Sequence, residues 1–362
     1  MLARDTGARE AAYSARFVMH LNPASHVFDR AFAALGAREK MFSDGWGDAA
    51  MLASIDATNV WPAAPKPAEP RWDVTRVARN VVARDGAFDS PVQSLPDFAR
   101  RAHVRWLRST RVPSRAACVV LAASGEEGFA RRAALFGSLV HEGIELFLVE
   151  NAFYGARRRP GQRRARVLTV SDQLQLNIAM VQEARALLAW LAKRGAEVRG
   201  VAGFSMAGAM AAVVGALTRE SIAVIALATG DSPAPIYTEG LLSRSVDFDA
   251  LGRGNGGADH ARHRLAALFD LARLTRLPPP VRVEAAVLLG ARRDGYVFAR
   301  EVQALVQHWK GCRERWIDAG HVSAVMLHAG ALRSAVRDAF VPAGIAPTPG
   351  VPRSIVQAEP RG

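Results

Sequence analysis

From residue 118 to residue 317, short runs of aliphatic and β-branched residues alternate with longer stretches whose apolar positions recur every three to four residues. Strands of a parallel sheet covered on both faces carry continuous apolar runs, so the short ones predict strands at 118–123, 145–149, 198–204, 222–228, 283–290 and 313–317. The longer ones predict helices at 129–141, 172–192, 207–217, 297–309 and 323–340. In the second of these, Leu174, Ile178, Val181, Leu188 and Leu191 recur at helical spacing. Strand and helix in alternation imply an α/β fold: a mostly parallel sheet with helices on both faces.

The ends and one interval break the pattern. A helix is expected at 23–35, with Asn22 as N-cap, Pro23 in its first position and Gly36 beyond its end. Pro62, Pro65, Pro67 and Pro70 then interrupt the chain, which makes residues 1–70 an extension packed outside the main sheet and 71–341 the domain proper. Residues 342–362 hold five prolines and little periodicity, as a disordered tail would. Residues 229–280 are rich in Gly, Asp and Pro, with a short helical stretch at 263–274. An insertion between two strands, at their C-terminal ends, would lie over a ligand site, so a lid is expected there.

Composition narrows the function. Of 362 residues half are apolar and 22% charged, which excludes disorder as the main state. No run of about 18 apolar residues occurs, because Thr218, Arg219, Glu220 and Ser221 interrupt the longest candidate, so no membrane span is expected. The first twenty residues carry charges and no apolar core of a secretory signal, and there are two cysteines, so a reducing, cytoplasmic location is expected. Net charge is +13 with four lysines among the 47 cations, an arginine skew typical of GC-rich coding. A real field of that sign would draw anions, including a lipid surface contacted peripherally. Nothing like a base-reading motif accompanies the arginines, so nucleic acid is not an expected partner.

The sharpest chemical signal is Gly203-Phe204-Ser205-Met206-Ala207-Gly208, at the end of one predicted strand and the start of a predicted helix. Small residues two before and two after a serine let strand and helix approach, and the sharp turn exposes the hydroxyl at the sheet edge. The backbone N–H of Met206 would then face an oxyanion, with a second donor from Ser124-Gly125 after the first predicted strand. A histidine and an acid should follow on later strands. His321 follows the last strand, and Asp294 follows the run 283–290, with Asp318, Asp231 and Asp247 as alternative acids. His260 and His263 lack further ligands, so neither a metal nor any other cofactor is expected. The loop Glu150–Gln162, with six arginines between 157 and 166, could hold an anionic group, and its candidates for substrate binding are Tyr154, Arg158 and Arg159; a solvated basic loop is the alternative.

Taken together, these segments resemble the family of α/β hydrolase domain-containing protein 18. The resemblance lies in Ser124-Gly125 with the following Arg131-Arg132, Glu150-Asn151, Tyr154-Gly155, Arg158-Arg159-Pro160, Val170-Ser171-Asp172 and Gly203-Phe204-Ser205-Met206. It covers residues 85 to 330. Two positions depart from the family pattern: Ala207-Gly208 stands where Gly-Gly is usual, and Glu126-Glu127 where Asp-His is usual. The resemblance implies an α/β-hydrolase fold, with Ser205, Asp294 and His321 as a catalytic triad. It also implies a small-molecule or lipid acyl ester, or a thioester, as substrate. The rival expectation is a catalytically silent binding protein of the same fold.

Overall fold

A computed structural model describes residues 27–56, 58–162 and 165–341. Nine strands form one sheet: β1 (Arg71–Ala78), β2 (Val81–Asp89), β3 (Arg101–Ser109), β4 (Ala116–Val120), β5 (Ile144–Val149), β6 (Arg199–Phe204), β7 (Ala223–Leu227), β8 (Ala286–Ala291) and β9 (Arg313–Ile317). Their order is β1-β2-β3-β5-β4-β6-β7-β8-β9, antiparallel from β1 to β5 and parallel from β5 to β9. All six predicted strands are present, each displaced by a few residues at most, and the fold is the α/β hydrolase fold.

Successive side chains along a strand point to opposite faces, which divides the core in two. Ala117, Val119, Val201, Val224 and Leu288 enter one apolar cluster, and Cys118, Val120, Ala202, Ile225 and Leu289 enter the other. The first face is covered by α3 (Val170–Lys193), α4 (Met206–Leu217) and α6 (Ala299–His308). The second is covered by α2 (Ala130–Phe136) and α8 (Ala329–Ala339). The other two longer elements are α1 (Val27–Gly36) and α5 (Gly257–Asp270), and a short α7 (His321–Leu327) precedes α8.

Several expected bounds move for local reasons. The helix expected at 129–141 ends at Phe136 and tightens into a 3-10 turn through Glu142. That expected at 323–340 is two helices meeting at His328, the first beginning at His321 under Gly320. In the insertion the helix runs Gly257–Asp270 rather than 263–274, because Gly256, at φ +81°, turns the chain directly into a helix that buries Ala261, Leu265 and Phe269. Asn22, Pro23 and the tail 342–362 lie outside the described residues.

Strands β1, β2 and β3 are absent from the pattern-based expectation. β1 is an exposed edge strand carrying Arg71, Asp73 and Arg76, and such charges protect an edge while masking its alternation. In β3, Ala102, Val104 and Trp106 are buried while His103 and Arg105 are only partly so, a period of two interrupted by charge. Residues 27–70 contribute no sheet strand but share the core. Met41 and Phe42 are fully buried, and Met41 bridges to Val246 in the insertion. Among the described residues no helix is long and apolar enough to cross a membrane.

One arginine of the basic loop belongs to the interior. Arg157 is 0% exposed and pairs with Glu183 on α3 at 2.6 Å, while its other N–H groups donate to the carbonyls of Ala99 (2.6 Å) and Glu150 (2.8 Å). Removing one member of a buried pair strands the other charge, at a cost of about 3–5 kcal/mol. Arg157→Met is therefore expected to lower unfolding stability by that amount, as measured by denaturant melts. A change below about 1 kcal/mol, the upper end of what exposed pairs contribute, would contradict the burial.

Candidate active site

The turn between β6 and α4 is sterically tight. Ser205 sits at φ 62°, ψ −126°, outside the regions open to an L-residue at no cost. Its N–H donates to Leu227 O at 2.8 Å, tying the strained residue to β7. A Cβ on Gly203 would lie 2.1 Å from Ala207 O, and one on Gly208 2.7 Å from Leu227 O, so the crossing of strand and helix excludes any larger residue at either position. The first-turn N–H groups of α4, beginning with Met206, have no intrahelical partner and carry the positive end of the helix dipole.

His321 and Asp294 meet Ser205 at the C-terminal edge of the sheet. His321 Nε2 lies 2.8 Å from Ser205 Oγ, and its Nδ1 lies 2.7 Å from Asp294 Oδ2. Asp294 is 3% exposed, and its other oxygen accepts from the N–H groups of Tyr296 and Val297, each at 2.8 Å. An acceptor carboxylate at Nδ1 assigns the neutral ring's proton to that nitrogen and leaves Nε2 to accept from the serine hydroxyl. Burial by itself lowers the imidazole pKa. The charge of Asp294, its hydrogen bond and the charge of Asp29 outweigh that effect, and the net pKa is raised. The rings of Phe204 and Tyr296 flank the imidazole with centroids at 4.9 and 5.1 Å.

The alternative acids are engaged elsewhere. Asp318 pairs with Arg293 at the surface, Asp231 with Arg273, and Asp247 caps a short helix by accepting from Ala250 N at 2.9 Å.

Because β4 and β6 are neighbouring parallel strands, Ser124 and Gly125 emerge at the same sheet edge as Ser205, and Gly125 turns the chain at φ +74°. The two unusual glutamates face other partners. Glu126 is buried against Arg132 at 2.8 Å and accepts from Ala123 N at 3.3 Å, while Glu127 accepts from Gly155 N at 3.1 Å. Arg132 also donates to the carbonyls of Val120, Val149 and Gly128, so one guanidinium joins the ends of β4 and β5 to the loop between them. Glu150 accepts from Gly128 N and Ala156 N, and Asn151 donates to Ala122 O. The motif residues around this loop are therefore largely its buried framework.

The three candidates for substrate binding separate. The Tyr154 hydroxyl is buried beside the Ser124 hydroxyl and the Gly125 backbone, within the framework of that loop, without a well-formed hydrogen bond, and burial raises its pKa. Arg158 faces Glu127 at 3.4 Å and Arg159 faces Asp172 at 3.0 Å, both partly exposed. His260 and His263 lie on the exposed side of α5, and no group of three His, Cys, Asp or Glu among the described residues is arranged to hold a metal.

Two residues at the site carry no sequence signal of the kinds used above. Gln173 is 0% exposed, and its Nε2 reaches Asn177 at 2.9 Å and Met206 Sδ at 3.4 Å. Asp29, on α1, is also 0% exposed, and its carboxylate accepts from the backbone of both the Asp294 and the His321 turns. In the sequence Asp29 stands beside Arg30 in a helix, an ordinary charged pair that gives no clue to its burial.

Two outcomes are expected. The rate at which an electrophile modifies Ser205 should rise with pH as His321 loses its proton, with a midpoint above the ordinary histidine value of 6.5, because only the neutral ring can accept the Ser205 proton. A pH–rate profile with its midpoint at or below that value would contradict the arrangement. Gly203→Ala must push Ala207 away, so Ser205 modification is expected to slow by roughly tenfold to a hundredfold, the cost of displacing reacting groups by up to about 1 Å. Stopped-assay labelling kinetics on the folded variant check this, and a wild-type rate would refute it.

Among solved structures, the chain is similar to a cold-adapted esterase from an Arctic intertidal metagenomic library, at 13% identity and TM-score 0.45, covering 72% of this chain and 96% of that one. It is similar to acetyl xylan esterase 1 from Thermoanaerobacterium sp. JW/SL YS485 at 12% identity and TM-score 0.47, covering 83% and 98%. It is also similar to the enol-lactonase from Burkholderia xenovorans LB400 at 15% identity and TM-score 0.41, covering 67% and 96%. The family model described as alpha/beta hydrolase domain containing 18 matches residues 39–256 and 252–341, which take in the elbow, the acid turn and the histidine turn. The chain belongs to the alpha/beta hydrolase domain containing 18 family.

Proposed function

We propose that the protein is a serine hydrolase that cleaves an acyl ester or thioester through a covalent acyl-enzyme. The observation that carries this reading is the unbroken relay from Ser205 Oγ through His321 to Asp294, at 2.8 and 2.7 Å, built on a serine whose backbone is strained as a nucleophile elbow requires.

The hydrogen-bonded order of the three side chains supports the following steps. His321 Nε2 takes the hydroxyl proton as Ser205 Oγ attacks the acyl carbon, and Asp294 stabilises the imidazolium that forms. The carbonyl electrons move onto oxygen, where Met206 N–H and the backbone of Ser124-Gly125 donate to it. The imidazolium then protonates the leaving alcohol or thiol as its bond to the acyl carbon breaks. Water, deprotonated by the same ring, attacks the acyl-enzyme and releases the acid. The buried pairing of Glu126 with Arg132 at 2.8 Å neutralises its charge, which limits its opposition to the developing negative charge.

Residues 229–280 serve as a cap over this edge. Tyr237 and Phe269 from the segment pack against each other at 4.6 Å, and Tyr237 against Phe42 at 6.0 Å. Leu241 N donates to Gly295 O at 2.9 Å, so the cap is anchored on the acid turn.

A fluorophosphonate should label the wild-type protein and fail to label Ser205→Ala. Against a panel of acyl esters and thioesters, Asp294→Asn should lower kcat on the order of 10⁴-fold. A folded wild-type protein that neither labels nor turns over any member of the panel would instead identify a silent binding protein.

A further inference from the structure

We infer that Asp29, delivered by α1 from outside the segment the family model matches, is a positioning residue that clamps the acid turn and the histidine turn into one unit. The inference rests on the proposed hydrolase reading, in which those two turns cooperate.

The clamp is a set of three hydrogen bonds that cross more than 250 residues of chain. Asp29 Oδ2 accepts from Gly295 N at 2.9 Å and from His321 N at 2.8 Å, and Oδ1 accepts from Val322 N at 2.8 Å. One oxygen thus joins the residue after Asp294 to the backbone of His321 itself. The two loops leave different strands, β8 and β9, and Asp29 bridges them directly. The carboxylate is wholly buried, and a buried carboxylate is tolerated only when hydrogen bonds replace its lost hydration.

What α1 buries points the same way. Of its ten residues only Asp29 and Ala33 are buried, while Val27, Phe32 and Leu35 are exposed. The helix therefore contributes little apolar burial, and its inward contact is centred on the carboxylate that reaches the two turns.

Position is joined by charge. The titratable groups facing the imidazole are Asp294 from the β8 turn, Tyr296 beside the ring and Asp29 from α1, and the Ser205 hydroxyl faces it from the elbow. Arg166 and Arg244 bear on Tyr296. Asp29 favours the protonated ring alongside Asp294, so removing its charge lowers the imidazole pKa and moves the acidic limb of the rate profile to lower pH.

Asp29→Asn keeps the shape and removes the charge, and turns one acceptor into an amide donor facing an N–H. The expected result is a fall of roughly tenfold to a hundredfold in kcat, the cost of misplacing reacting groups by up to about 1 Å, with KM little changed. The acidic limb should shift to lower pH, and the His321 imidazole should titrate lower by NMR in the resting protein. Asp29→Glu keeps the charge but displaces it, so it should leave the titration near that of wild type while kcat stays depressed. Unchanged kcat or an unchanged imidazole titration in Asp29→Asn would overturn the inference, the latter showing that the residue only holds α1. If Asp29→Asn does not fold, a wild-type kcat in Asp29→Glu would overturn it equally. Since the titration needs no substrate, it tests Asp29 even if no ester is turned over, whereas absent labelling of wild type would count against the hydrolase reading alone.

Discussion

The arrangement of the site depends on how closely β6 and α4 approach. Where Gly203 meets Ala207 there is no room for a side chain, and that contact holds Ser205 at positive φ with its hydroxyl above the sheet edge. A strained residue persists only where its surroundings overdetermine it. Here the surroundings are the hydrogen bond to Leu227 O, the packing of Gly208 against β7, and an apolar helix that cannot shift without opening the core. The strain is thus held by the fold and available to the site.

Around that constraint the chain uses buried charge as a frame. Glu126, Arg132, Glu150, Arg157 and Glu183 are all nearly or fully buried, and their hydrogen bonds join the ends of β4 and β5 to the following loops and to α3. Burying ions is costly unless each is paired and its remaining donors are satisfied. Both arginines meet that condition by donating to main-chain carbonyls as well as to carboxylates. Part of the arginine excess that gives the chain its net charge is therefore structural, and the partly exposed Arg158 and Arg159 already face Glu127 and Asp172.

Strands β4 to β8 were legible because buried strands are continuous apolar runs separated by helices of clear period, whereas the charged, partly buried edge strand β9 was legible only by its place in that alternation. Ser205 and His321 stood just past the ends of β6 and β9. Asp294 was legible by the same placement, although Asp318, Asp231 and Asp247 were alternatives until their partners were visible. The antiparallel strands β1 to β3 were not legible, since charges on an exposed edge break the alternation that marks a strand. Asp29 was not legible either, because its partners are backbone N–H groups of residues 295, 321 and 322, and no local motif encodes a contact over that separation.

By itself the sequence determined what depends on neighbours along the chain: the order of strands and helices from β4 onward, the small residues the elbow demands, and the chemical types available at each of those strand ends. Tertiary structure decided which of those groups meet and in which state they are held. It set Asp294, rather than the three other acids, beside His321, paired Glu126 with Arg132 and Glu127 with Gly155 N, withdrew Arg157 from the surface and brought α1 to the Asp294 and His321 turns. The reason is that periodicity and steric fit act over a few residues, whereas hydrogen-bond pairing and electrostatic shifts depend on distance in space, which only the folded chain defines.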